Sequence, residues 1–167
     1  MNRPVTVIGA GLAGCEAVWA LAKAGEAVRR YEMKPVRFSP AHHSENFAEL
    51  VCSNSLKASR LETASGLLKA EMKRLGSLTM EAAEAAAVPA GGALAVDREA
   101  FSAYITERIR SLPNVEIVRE ELTELPSEGT VVCATGPLTS DGLASYLSGL
   151  FGGTLSFYDA VAPIVSA

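Results

Sequence analysis

The sequence predicts an α/β fold built on a parallel sheet, and three observations predict it. A short apolar strand, Val5–Ile8, runs into the glycine turn Gly9, Gly11, Gly14. The turn opens a helical stretch, "CEAVWALAKAG", that Gly25 is placed to stop. A second strand, "AVRRYE", follows and ends in the acid Glu32. Strand, GxGxxG turn, helix, strand and terminal acid in this order make a Rossmann-like unit, which is far more specific than the glycine pattern alone.

Each part of the unit has a physical job. Gly9 allows the tight turn out of the strand, and Gly11 lets a pyrophosphate approach the backbone. Gly14 lets the helix pack closely on the sheet, helped one turn later by Ala17. The helix N-terminus offers free N–H groups and about half a positive charge to phosphates. Its spacing predicts that Ala13, Ala17, Leu21 and Ala24 share the packed face. Glu32 stands 18 residues after Gly14, where a carboxylate accepts both hydroxyls of an adenosine ribose. A carboxylate there disfavours the 2′-phosphate of NADP but does not separate FAD from NAD.

Composition sets the bounds. The chain has 167 residues, 49% hydrophobic and 20% charged, which fits one globular domain without staples. Its net charge of −4 means that a polyanion partner needs a local basic patch. Cys15, Cys52 and Cys133 are an odd set with no CxxC spacing. They argue against a disulfide framework or a metal site and for a reducing compartment. No uncharged apolar run reaches the roughly 18 residues of a membrane span. Arg3 and "LAGC" at 12–15 imitate a lipoprotein signal, but the apolar run is short, begins at Pro4 and is fully explained by the glycine turn. A cytoplasmic location is expected.

The remaining elements follow in order. Residues 34–60 read as a long polar connection leaving the ligand side of the sheet. Its His42 and His43 suit hydrogen bonding or exposure rather than a metal. The spacing predicts a helix over 61–76 with Ala64, Leu68, Met72 and Leu75 in the core, and another over 77–88. A Pro/Gly-rich loop then leads to Asp97, a good N-cap, and a helix with Phe101, Tyr104, Ile105, Ile109 and Leu112 on one stripe. Gly91 and Gly92 suggest a close backbone approach to either a ligand or another loop. "VEIV" (115–118) and "ELTEL" (121–125) read as short strands. "TVVCATGP" reads as a buried strand with Cys133 in the core, and 138–151 as a helix with Leu143, Leu147 and Leu150 inward.

Cys52, in "FAELVCSNS", sits where an apolar run meets Ser53, Asn54 and Ser55. A buried thiol beside a helix cap and a thiol surfacing into a cleft both fit that pattern.

The blocks "PAHHSENFAELVCSNSL", "GLLKAEM", "VPAGGALAVDREAFSAYITE", "CATGPLTS" and "FYDAVAPIV" resemble the TrmFO family, relatives of the GidA/MnmG flavoproteins. The resemblance covers essentially the whole chain and implies a glutathione-reductase-type, Rossmann-like FAD-binding domain over 1–167. That domain carries a loop and helical insertion at about 34–96 and is incomplete at its C-terminus, since family members are more than twice this long. It implies FAD over Gly9, Ala10, Gly11, Leu12, Ala13 and Gly14, with Glu32 on the ribose and Thr135 and Gly136 beside the cofactor. It implies methylenetetrahydrofolate and NAD(P)H as co-substrates and C5 of uridine 54 in the tRNA T-loop as acceptor. Cys52 then matches a catalytic cysteine, with Ser53 and Asn54 hydrogen-bonding cofactor or substrate. The family's second cysteine falls past residue 167, so this chain alone is expected to lack activity. The alternatives are another FAD- or NAD-linked oxidoreductase and a GidA/MnmG-like modification of the tRNA wobble uridine. Lys34, Arg37, Lys57 and Arg60 are candidates for a tRNA-facing patch.

Overall fold

A computed structural model describes residues 3–153. The elements run β1 (Val5–Ile8), α1 (Leu12–Lys23), β2 (Val28–Tyr31), β3 (Ser55–Ala58), α2 (Ala64–Arg74) and α3 (Leu78–Ala85). They continue as β4 (Ala87–Val88), β5 (Ala93–Val96), α4 (Arg98–Arg110), β6 (Val115–Val118), β7 (Val131–Cys133), a 3-10 turn (Gly136–Leu138) and α5 (Asp141–Phe151). The main sheet has the order β6-β2-β1-β7 and is parallel throughout. This order is doubly wound, with its switch point between β1 and β7. A smaller antiparallel sheet, β3-β5-β4, is built from the segment between β2 and α4.

Alternation along β1 sorts the two layers, because successive side chains point to opposite faces. Val7 joins Val18, Trp19, Phe101, Ile105 and Ile109 under α1 and α4, with Leu78, Ala82 and Ala83 of α3 behind them. Ile8 points the other way and meets Leu143 and Leu147 of α5. Asp97 caps α4 by accepting from the Ala100 amide at 2.8 Å, as its position predicts. Glu16 of α1 accepts from Ser77 Oγ at 2.5 Å and from the Thr79 amide at 2.7 Å, which pins the start of α3 to α1. Arg30 is buried in this core, stacked on Phe47 at 3.9 Å and donating to Cys15 Sγ at 3.2 Å.

Several expectations are corrected. The buried face of α1 is Cys15, Val18, Trp19 and Ala22, while Ala13 and Ala24 are exposed and Ala17 and Leu21 only half-buried. The helix is apolar nearly all round, so its period did not fix its orientation. The α2 stripe is not core: Ala64 is exposed, Leu68 is 56% exposed and Leu75 87%, and only Gly66 is buried. A side chain at Gly66 would collide with Arg60 O, so the first turn of α2 packs closely against the loop that leads into it. The helix from Ser77 ends at Ala85, and Ala87–Val88 turn into the small sheet, which the sequence reading missed.

Residues 121–125 form no strand. There Glu121 is held by Arg37, and Leu122 and Leu125 fold down onto Ile8 and Leu143. Cys133 is exposed at the end of β7, which is the outermost strand of the main sheet among the described residues. Leu150 is exposed as well, one turn past the last contact of α5 with the sheet. The "FYDAVAPIV" block lies outside the described residues.

Candidate functional site

A cleft of about 640 Å³, open mouth included, lies at the carboxyl edge of the main sheet. Ile8, Gly9, Ala10 and Gly11 form its floor, Tyr31 and Glu32 follow from β2, Glu120–Leu122 from β6, and Thr135 from β7. Four consecutive sheet positions therefore end at one opening, as a doubly wound fold requires of its ligand site.

The glycine turn is sterically committed. Gly9 has φ +102°, and a Cβ there would stand 2.6 Å from Ala134 O. A Cβ on Gly14 would be driven into Gly9 O. At Gly11 a Cβ meets nothing within 4 Å, so the backbone is bare toward the cleft. Gly11 is the N-cap of α1 without a side-chain cap, and no acid occupies the first turn. Helix geometry leaves the first amides there without partners, in a field that favours an anion. Leu12 and Ala13 are exposed at this end, and Gly14 is buried beneath it. The floor thus has the features that a pyrophosphate needs.

Glu32 is buried, with Oε1 accepting from the Lys34 amide at 2.9 Å, which turns the carboxylate along the cleft wall. Lys34 lies beneath it, and its Nζ donates to Ser44 O at 2.9 Å, Asn46 O at 2.7 Å and Glu49 Oε2 at 3.3 Å. Glu49 also accepts from the amides of His43 and Ser44. Burial alone would raise the Glu49 carboxyl, but these two amides and the Lys34 ammonium outweigh it and hold it below its ordinary value. The Ala48 amide donates to Ala10 O at 2.8 Å, so the long connection folds back over the glycine turn. His42 lines the same wall, bonded to Ser39 Oγ at 2.7 Å. Burial, and then Lys34, push its imidazole below the ordinary range.

On the opposite wall the Thr135 and Thr139 hydroxyls bond at 2.6 Å, and Thr139 donates to Gly136 O at 2.8 Å. Gly136 adopts φ +65° to start the 3-10 turn. Arg37 grips Glu121 through both carboxylate oxygens at 2.8 Å, which lowers that carboxyl.

The cleft therefore gathers Gly9, Ala10, Gly11, Glu32 and Thr135 of the expected residues. Cys52, Ser53 and Asn54 are exposed and lie outside its walls, at the entry to the small sheet. Arg98 Nη2 holds Cys52 O at 3.2 Å, Asn54 Nδ2 donates to Val96 O at 3.2 Å, and Ser53 Oγ accepts from the Ser55 amide at 3.0 Å. These bonds fix the backbone around a free, accessible thiol. Burial raises the Cys15 thiol despite Arg30 beside it, so that cysteine is held as the neutral group. Gly92 O accepts from the Ser59 amide and hydroxyl at 3.1 and 3.2 Å, so the close partner of this glycine pair is another loop.

Lys34, His42 and Glu49 were missed as site residues. Lys34 had one available signal, its place two residues after Glu32. The basic patch expected from Lys34, Arg37, Lys57 and Arg60 does not form as a set, because Lys34 is buried and Arg37 is paired. Among the described residues no group of His, Cys, Asp and Glu is placed to hold a metal ion, and no helix is long and apolar enough to cross a membrane.

Comparison with known proteins gives this geometry a lineage. Residues 4–167 match the family described as Glucose inhibited division protein A. The chain belongs to that family. It is 62% identical over all 167 residues to the Geobacter sulfurreducens protein named Methylenetetrahydrofolate--tRNA-(uracil-5-)-methyltransferase TrmFO, of which it covers 38%. The protein of the same name from Lactobacillus delbrueckii is 59% identical over 168 residues, with the same 38% covered. The chain thus spans well under half the length of these relatives. Aquifex aeolicus GidA shares the fold, with a TM-score of 0.62 at 18% identity over 81% of this chain and 25% of that one. The resemblance to TrmFO read from the sequence blocks is borne out.

Proposed function

We propose that the chain is the N-terminal, FAD-binding portion of a methylenetetrahydrofolate-dependent tRNA (uracil-5-)-methyltransferase. What carries this reading is 62% identity, over the whole chain, to a relative whose name states that activity. On this reading residues 34–96 are an insertion between the second strand and α4. The acceptor is C5 of uridine 54 in the T-loop, the reductant is NAD(P)H, and the enzyme works in the cytoplasm.

The residues present fit FAD. The two glycines where a Cβ would strike backbone, the bare backbone at Gly11 and the uncapped start of α1 suit its pyrophosphate. Glu32 suits the adenosine ribose, Thr135 bounds the same cleft opposite, and Gly136 follows it at the start of the 3-10 turn. Bound FAD supplies the electrons that take the transferred carbon to the methyl level.

Cys52 supplies the protein's part of the chemistry. Uracil C5 is a poor nucleophile until a group adds to C6. A thiolate does this well even as a minor species near neutral pH. Cys52 acts either as that nucleophile or as the group that takes the C5 proton. Arg98 and Asn54 hold its backbone so that the side chain faces solvent and incoming substrate.

The test incubates the full-length protein with FAD, methylenetetrahydrofolate, NADPH and an unmodified tRNA transcript, then measures 5-methyluridine by nucleoside mass spectrometry. Wild type is expected to form it at position 54, and Cys52→Ala to form none while keeping its flavin. Flavin-loaded wild type that leaves the uridine unmethylated would overturn the reading.

A further inference from the structure

The small sheet carries a feature that the cleft does not use. Between Ser55 and Ala58, β3 slips register against β5, and within that irregularity Lys57 takes a left-handed φ of 67°. That conformation is unfavourable for a residue with a Cβ, and bulges serve to re-aim a side chain. Lys57 is exposed here. Beside it, Lys69 of α2 donates from Nζ to Ala58 O and Ser65 O, both at 3.0 Å. Burial, and then the nearness of Lys57, push the Lys69 ammonium below its ordinary value. Arg60 follows, also exposed.

Among the described residues none of these three cations takes part in a salt bridge. Between Leu50 and Ala70 the sequence holds one acid, Glu62, with Glu49 and Glu71 at its borders, although the chain as a whole is net −4. A concentrated positive strip on an acidic protein is the footprint of a polyanion site. Cys52 stands at the head of the same segment, five residues before Lys57 and likewise exposed.

We propose that this strip, from Cys52 through Lys57 and Arg60 with Lys69 beside it, is where the ribose-phosphate backbone of the tRNA lies as its target uridine meets Cys52. The proposal rests on the methyltransferase reading. Phosphate contacts set the register of a nucleic acid and leave base recognition to other groups. Lys57 and Arg60 are the exposed contacts, and Lys69 supports them from α2.

The experiment uses the FAD-loaded full-length protein and measures tRNA affinity between 50 and 300 mM salt for wild type and for the pair Lys57→Gln, Arg60→Gln. Each lost phosphate contact removes about 0.7–0.9 from the slope of log K against log salt, or about 4- to 5-fold in affinity at 0.15 M. The pair is therefore expected to bind about 15- to 30-fold more weakly, with a slope shallower by about 1.5. Flavin content and thermal midpoint should be unchanged, since both side chains are exposed. The charge-keeping pair Lys57→Arg, Arg60→Lys should restore the slope. If wild type methylates tRNA but the Gln pair matches it in affinity and slope, this surface is refuted while the function stands. A loss of slope in the charge-keeping pair equally overturns it. Wild type that forms no 5-methyluridine removes the function and this inference together.

Discussion

Replacing Lys34 with Met tests how the long connection is held. The side chain is 4% exposed, and its ammonium serves Ser44 O, Asn46 O and Glu49 Oε2. Met keeps the length of the stem, so the loss is polar and not a cavity. Removing one partner of a buried pair costs about 3–5 kcal/mol because the other is stranded. Glu49 is 16% exposed and keeps two amide donors, which places the cost near the lower end, about 3 kcal/mol. For a domain of this size that is roughly 6–12 °C in thermal midpoint.

Thermal and urea unfolding of Lys34→Met, Glu49→Gln and the double variant measure this cost. The double variant should lose at least about 1 kcal/mol less than the sum of the singles, since the two groups share an interaction. Glu49 also gives the loss a pH signature. Its native carboxyl titrates below the ordinary 4.5, so its contribution is full above that pH and fades as pH falls through the native value. Lys34→Met should weaken that fall. A variant within about 0.5 kcal/mol of wild type, or strictly additive singles, would refute the claim that this ammonium organises the connection.

Three further outcomes follow from the same structure. Iodoacetamide on the native protein should label Cys52 and Cys133 and spare Cys15 until the chain unfolds, as peptide masses would reveal; a protected Cys133 would contradict its place at the sheet edge. His42 is held below its ordinary 6.5, so the unfolded chain takes the proton first. Stability should be full above pH 6.5 and decline below it, and His42→Gln should flatten that decline; an unchanged profile would exclude His42 as its source. Arg30 is buried with Nε and Nη1 lacking partners. Each such donor costs about 1–3 kcal/mol, against roughly 2 kcal/mol returned by the stacked ring. Arg30→Met also removes the Nη2–Cys15 bond, worth about 1.5–3 kcal/mol, so the unfolding free energy should stay within about 2 kcal/mol of wild type, and a larger fall would refute that balance.

What the sequence revealed was local. Gly9, Gly11, Gly14 and Glu32 act through spacing within one strand-helix-strand unit, and spacing is what a sequence displays. Asp97 was legible as a cap because its acceptor serves a donor three residues away. The leucines of α2 show a stripe, but a stripe does not say what covers it. The small sheet escaped notice because Ala87, Ala93 and Ala95 give too little contrast for alternation to be seen. Lys34 was misplaced because lysine is almost always exposed; its burial depends on carbonyls ten and twelve residues away, brought close only by the folded loop. Cys133 was misread because strand composition does not distinguish an outermost strand from a central one.

The most direct test of the account is an equilibrium titration of FAD into the apo full-length protein, wild type against Glu32→Ala, followed by flavin absorbance and fluorescence. The account predicts saturable binding by wild type and at least about tenfold weaker binding by the variant, the loss of charge-assisted hydrogen bonds to a buried ribose. Equal FAD affinity in the two proteins, or no flavin binding by wild type, would contradict the claim that this cleft is the cofactor site.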